Sequence, residues 1–168
     1  MKERKKLKKP KHKELKDYLE AYSFVEFSSG KTIINMLKTV ELMRGVYHSL
    51  FKEYNISEPK FSVLLLLSNE KNGMALSDIG ERLLVSRANI TGLIDRMEKE
   101  ELVEKRGNPL DKRSIKAHLT KKGRELFEEI RSPHMEFSEK MTAGLDEDEK
   151  EELNRLLEKI QRHIIDEF

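Results

Sequence analysis

Apolar residues recur every three or four positions from Ile33 to Tyr54, through Met36, Leu37, Val40, Met43, Val46, Tyr47, Leu50 and Phe51. That spacing predicts one long helix of about six turns. Just before it, Ser28, Ser29 and Gly30 are expected to break the pattern, and a helix over 15–27 is expected upstream of them. Asn55 tolerates the left-handed backbone that ends a helix, and Ser57, Glu58 and Pro59 suit the start of the next. This second helix carries Phe61, Leu64, Leu65 and Leu67 and should end within Ser68–Gly73. Met74 to Leu76 leaves room only for a strand stub. Ser77 is expected to cap a short helix with Ile79, Leu83 and Leu84 on its apolar face, and Ser86 to cap another that runs to about Glu100.

Two short helices joined by a tight turn form a helix-turn-helix. Leu102 to Arg106 and Ser114 to Leu119 then read as a two-stranded ribbon, with a long basic tip that begins at Gly107, Asn108 and Pro109. Thr120 caps a helix to about Thr142, expected to be kinked or interrupted near Pro133. Asp146 to Glu149 open the last helix, whose apolar face is Leu153, Leu156, Leu157, Ile160 and Ile164. The fold class is therefore mainly α: a winged helix-turn-helix with a small β wing, set between long N- and C-terminal helices. Those long helices carry more apolar face than one small core can cover, which predicts a homodimer. The expected layout is a basic, disordered arm over 1–17, N-terminal dimerisation helices over 18–56, a DNA-binding region over 57–122 and C-terminal dimerisation helices over 123–168, all in one compact unit.

The helix after Ser86 has two contrasting faces. Leu93, Ile94 and Met97 fall within about 60° of Ile90 on a helical wheel, and the four form a buried stripe. Opposite lie Ala88 and Gly92, ringed by Asn89, Thr91, Asp95, Arg96 and Lys99. Glycine costs about 1 kcal/mol relative to alanine in a helix, so propensity does not account for Gly92. Either another helix packs closely there or the face sinks into a groove. The major groove of B-DNA, about 12 Å wide, admits such a helix with its N-terminal residues leading. Here those residues are Ser86, Arg87, Ala88, Asn89 and Thr91.

Charge sharpens the picture. The formal net charge of +2 conceals +6 over residues 1–17, −3 over 77–104, +6 over 105–122 and −7 over 123–168. The second basic stretch, with Lys105, Arg106, Lys112 and Arg113, is either a phosphate-attracting patch or a solvated loop. Cysteine is absent, which removes disulfides, thiolate ligands and cysteine nucleophiles. The histidines, His12, His48, His118, His134 and His163, include no i, i+4 pair for a helical metal site. The acids between Asp146 and Glu152 suit a helix start, and no phosphate-loop or nucleophile-elbow motif occurs. The expectation is a non-enzyme without metal or cofactor. The longest apolar run, Val63 to Leu67, is far too short to span a bilayer, and no secretory pattern follows the basic N-terminus, so a cytoplasmic protein is expected.

The stretch Leu76 to Leu126, LSDIGERLLVSRANITGLIDRMEKEELVEKRGNPLDKRSIKAHLTKKGREL, resembles the DNA-binding region of the multiple antibiotic resistance regulator (MarR) family. The most specific pieces are TGLIDRMEKE, LVEKR, the D-x-R formed by Asp111, Lys112 and Arg113, and LTKKG; NISEPKFSVL extends the likeness upstream, to about residues 31–165. The resemblance implies that Ser86 to Arg96 enters the major groove, and that Arg113 probes the minor groove while Asp111 holds it. It also implies that the first and last helices intertwine two chains into a triangular dimer. The expected function is a transcriptional regulator that binds a pseudo-palindromic operator in double-stranded DNA, with repression favoured over activation. A small-molecule effector pocket is implied too, for which Met36, Met43, Tyr47 and Phe51 are candidates; residues at this spacing are more often ordinary core or dimer interface. Two departures stand out: Glu101 replaces the family's usual glycine, so the wing strand is expected to start at a different angle, and the arm before Tyr18 lies outside the pattern. A winged-helix module for protein contacts, its basic patch serving another anion, is the alternative.

Overall fold

The computed structural model describes residues 28–108 and 111–168, with the backbone alone at 108 and 111–114; the arm and the helix expected over 15–27 lie outside the described residues. In order come α1 (Ser28–Glu53), α2 (Glu58–Ser68), β1 (Met74–Ala75), α3 (Leu76–Arg82), α4 (Arg87–Lys99), β2 (Val103–Asn108), β3 (Asp111–Leu119), α5 (Lys121–Thr142) and α6 (Glu147–Glu167). The mainly helical, winged helix-turn-helix expectation is met. Ser28, Ser29 and Gly30 do not break α1, contrary to expectation; they are helical, and the Thr32 hydroxyl donates to the Ser28 carbonyl at 2.9 Å. Weak helix preference in three residues costs little against a contiguous helix.

Three helices end in the same way. At Asn55 (φ 51°), Leu84 (φ 53°) and Glu101 (φ 60°) the backbone turns left-handed. At each, the N–H of the turning residue bonds three residues back and the next N–H five back: Asn55 to Lys52 (3.3 Å) and Ile56 to Phe51 (3.1 Å), Leu84 to Glu81 (3.1 Å) and Val85 to Gly80 (2.9 Å), Glu101 to Glu98 (2.9 Å) and Leu102 to Met97 (2.9 Å). These are Schellman stops. Asparagine suits the position, whereas a leucine or glutamate there costs about 1–2 kcal/mol. Glu101 thus adopts the backbone that glycine would adopt more cheaply. Leu84 leaves the apolar face expected for it and is exposed, while Ile79 is fully buried and Leu83 packs at the core edge.

Ser77 does not cap α3. Ala75 occupies that position, because β1 pairs with β3 (Met74 with Ala117, Ala75 with Lys116) and leads directly into the helix. The sheet order is β1-β3-β2, all antiparallel. Gly73, at φ 63°, precedes β1 so closely that a Cβ there would lie 2.6 Å from the Ala117 carbonyl oxygen. The wing strands run further than expected, to Asn108 and from Asp111. Their register is regular from Val103–Leu119 to Gly107–Ile115, then slips so that Asn108 pairs with Asp111. Residues 112–114 consequently form a bulge in β3, which replaces the expected long loop.

The core lies between α2, α4, α5 and the sheet, with Val63, Leu64, Ile79, Ile90, Ile94, Met97, Ala117 and Ile130 wholly buried. An aromatic column ties α1 and α5 to α2: the His134 ring stacks on Tyr47 (4.8 Å between centroids) and meets Phe61 (4.7 Å), and Phe61 in turn stacks on Phe127 (6.0 Å). The Tyr47 hydroxyl lies 2.7 Å from that of Ser138. α5 runs through Pro133 without interruption. α6 opens on a capping box, in which the Glu149 N–H donates to the Asp146 carboxylate and the Asp146 N–H to that of Glu149, both at 2.9 Å. Its Leu153, Leu156, Ile164 and Ile165 are nevertheless exposed, as are Ile33, Leu37 and Val40 of α1. Among the described residues no helix is long and apolar enough to cross a membrane.

Candidate nucleic-acid interface

α4 is positioned from both ends. At its start Ser86 is the N-cap, and its hydroxyl accepts from the Asn89 N–H at 3.3 Å. Ile90, Leu93, Ile94 and Met97 are buried as the wheel predicts. At its exit the turn at Glu101 is clamped by the N-terminus of α5. The Thr120 hydroxyl donates to the Glu101 carbonyl at 2.6 Å and accepts from the Gly123 N–H at 3.0 Å, and Lys122 Nζ donates to the Glu100 carbonyl at 2.8 Å. A Cβ at Gly123 would lie 2.0 Å from the Leu102 carbonyl oxygen, so only glycine permits this contact. Lys60 of α2 adds an ion pair to Glu100 at 2.6 Å.

With its inner stripe fixed, α4 presents Arg87, Ala88, Asn89, Thr91 and Arg96 to solvent. The Thr91 hydroxyl is turned back to the Arg87 carbonyl at 2.8 Å. A Cβ at Gly92 would meet only the Arg96 guanidinium, at 3.7 Å. No second helix of the described chain packs on Gly92, so the close-packing explanation for that glycine does not hold within the chain. The face is open, shallow at its centre and rimmed by hydrogen-bonding side chains.

The wing residues divide. Lys105 does not extend freely from β2: its Nζ lies 2.7 Å from Asp95 and 2.8 Å from Glu98 of α4, and its N–H donates to Glu98 at 3.0 Å. These hydrogen bonds hold both carboxyls below the usual carboxylate range and push the Lys105 ammonium up. Lys105 is thus a brace between helix and wing. The signal for it was present, since Asp95 and Glu98 stand at i, i+3 on one helical face. Arg106 is exposed and pairs with Glu104 along the same strand. Asp111 opens β3 opposite Asn108, and Lys112 and Arg113 lie in the bulge; their side chains are outside the described residues.

The four effector candidates lie along α1, and two of them, Tyr47 and Phe51, stack at 5.9 Å between ring centroids. Tyr47 belongs to the aromatic column, Phe51 joins that column and borders a groove of about 570 Å³ shared with His48, Ile56 and Pro59, and Met36 and Met43 lie half-exposed on α1. Sequence reasoning missed His134, whose imidazole is the hub of the column and is pushed below its ordinary pKa by burial.

Comparison with known proteins agrees with this architecture. Residues 56–115 match the MarR family model. The chain is 37% identical over 112 residues to an uncharacterized HTH-type transcriptional regulator, YkoM, of Bacillus subtilis strain 168, covering 67% of this chain and 72% of the relative. It is 26% identical over 149 residues to the HTH-type transcriptional repressor YetL of the same organism, covering 88% and 89%. In fold it is similar to the protein in a crystal structure of an S. aureus MepR–DNA complex, with a TM-score of 0.72, 21% identity, and coverage of 82% of this chain and 99% of that one.

Proposed function

The chain belongs to the MarR family, and from that premise we propose that it acts as a homodimeric, sequence-specific regulator that binds a pseudo-palindromic site in double-stranded DNA and represses transcription. Residues 57–122 are the DNA-binding region and the long helices on either side join two copies. Ser86 to Arg96 reads the major groove, with Asn89 and Arg96 as hydrogen-bonding readers and Arg87 at the phosphates; Arg106, Lys112 and Arg113 carry the wing to the backbone and the minor groove, with Asp111 steadying Arg113. Lys105 supports the reading indirectly, by bracing the wing against α4. The repressor name of one relative and the DNA complex of one structural neighbour support the same reading.

The single observation that carries it is the open face at Gly92, which nothing in the described chain fills except the tip of Arg96. A duplex selected by the wild-type protein from a random pool tests it in a mobility-shift assay against competitor DNA. Gly92→Glu is expected to abolish the specific shift, at least a hundredfold, with unchanged circular dichroism and unchanged mass. Retained affinity in that variant would mean this face does not meet DNA.

A further inference from the structure

We propose that Leu84, at the turn between α3 and α4, is a DNA-reading residue in its own right: an apolar knob that rests against the C5 methyl group of a thymine at the edge of the groove α4 occupies. The inference rests on the reading of α4 given above and adds to it a contact outside the recognition helix.

Two features of Leu84 count against a role in stability. It is 93% exposed, more than any other large hydrophobic among the described residues except the terminal Phe168, so it buries almost nothing. Its φ of 53° is one that glycine or asparagine adopts readily and leucine does not. The turn itself is held by the backbone, through the N–H of Leu84 on Glu81 and that of Val85 on Gly80, and needs no leucine side chain. An exposed, strained residue that the fold does not require points outward, to something the chain meets.

Position and chemistry name the partner. Leu84 stands two residues before Ser86, the cap of α4, and three before Arg87, which is exposed and belongs to no ion pair among the described residues. Consecutive α carbons are 3.8 Å apart, so Leu84 lies within about 11 Å of Arg87. A surface in contact with the first turn of α4 therefore lies within reach of a leucine there, since the major groove is itself about 12 Å across. The apolar group that duplex DNA presents in that groove is the thymine methyl. A protein partner fits less well: Leu84 and the half-exposed Val85 form a patch far below the several hundred Å² of a protein-docking surface.

The test uses the full chain and a duplex that the wild type enriches from a random pool. Affinities are read by fluorescence anisotropy for the wild type, Leu84→Gly and Leu84→Met, on that duplex and on versions in which each thymine in turn is deoxyuridine, which lacks only the methyl. Leu84→Gly is expected to melt at or above the wild-type temperature yet bind three- to tenfold more weakly, and Leu84→Met to keep most of the affinity. At one thymine per half-site, deoxyuridine should weaken the wild type by a similar factor and leave Leu84→Gly unaffected. Wild-type affinity in Leu84→Gly overturns the proposal, as do deoxyuridine effects of equal size in both proteins at every position. If the wild type enriches no duplex at all, the DNA reading of α4 fails first, and that result is distinct from either.

Discussion

α4 and α6 are both amphipathic helices, and they solve opposite problems. α4 buries Ile90, Leu93, Ile94 and Met97 within its own chain and leaves a polar face with a hollow centre. α6 is longer, better capped and buries no residue, leaving Leu153, Leu156 and Ile164 between 42% and 49% exposed. One helix is complete inward and open to a polar, charged surface. The other is closed to nothing and needs apolar cover. On the function proposed above, the difference separates what a single chain accomplishes, the shaping of a reading head, from what a second copy would supply.

Breaking the α6 half should have the largest effect. Leu156→Glu combined with Ile160→Glu places four carboxylates in a two-fold interface where each leucine buried is otherwise worth about 1.5–3 kcal/mol. Dimer dissociation is expected to rise at least a hundredfold, read as a monomer mass by sedimentation equilibrium at micromolar concentration, with the helix-turn-helix still folded. A dimer that persists would place the interface elsewhere.

On the α4 side, Arg113→Ala is expected to weaken binding at least tenfold, about 1.4 kcal/mol, without a change in melting temperature. Arg113→Lys should restore only part of it, because a narrow minor groove favours a guanidinium. Binding equal to wild type at physiological salt would remove the wing from the reading head. Lys105→Gln sharpens the contrast between a charge that meets DNA and one that braces. The loss should be smaller, roughly three- to fivefold, and the salt dependence of binding should keep its slope, whereas losing one phosphate contact per protomer would change the slope for the dimer by about 1.8. A flattened slope would return Lys105 to the phosphates.

The smallest effect concerns pH. Burial holds the His134 and His118 imidazoles below the ordinary value of 6.5, with the charge of Arg106 adding to the shift at His118. The unfolded chain therefore binds more protons than the folded one just below pH 6.5, and stability should fall as pH drops through that window. Above it the contribution is complete. His134→Gln should flatten the decline in melting temperature between about pH 7 and pH 5, leaving the share of His118; an unchanged slope would sink the assignment.

Much of this was readable from local pattern. The buried stripe of α4, the caps at Ser86, Thr120 and Asp146 and the stop at Asn55 depend on residues within a turn or two of one another, and periodicity and capping chemistry report such neighbours directly. What escaped depends on distant partners. Leu84 fits the apolar spacing of α3, and only its left-handed backbone turns it outward. Lys105 looks like a free cation until Asp95 and Glu98 are brought beneath it. His134 has no sequence neighbour that marks it as the centre of an aromatic column built from three helices. The wing was misjudged because its bulge lets the strands pair almost to the tip.

The contact of Gly123 with the Leu102 carbonyl, secured by Thr120, makes the root of α5 and the exit of α4 a single mechanical joint. The 22 residues of α5 form a rod about 33 Å long. A tilt of roughly five degrees at its far end, where Thr142 leads to α6, moves the joint by about 3 Å. In the two-fold assembly proposed above that displacement would count twice, so the spacing between the two copies of α4 would be geared to how α5 and α6 seat, and a modest change at the assembly end would become a misfit with successive major grooves.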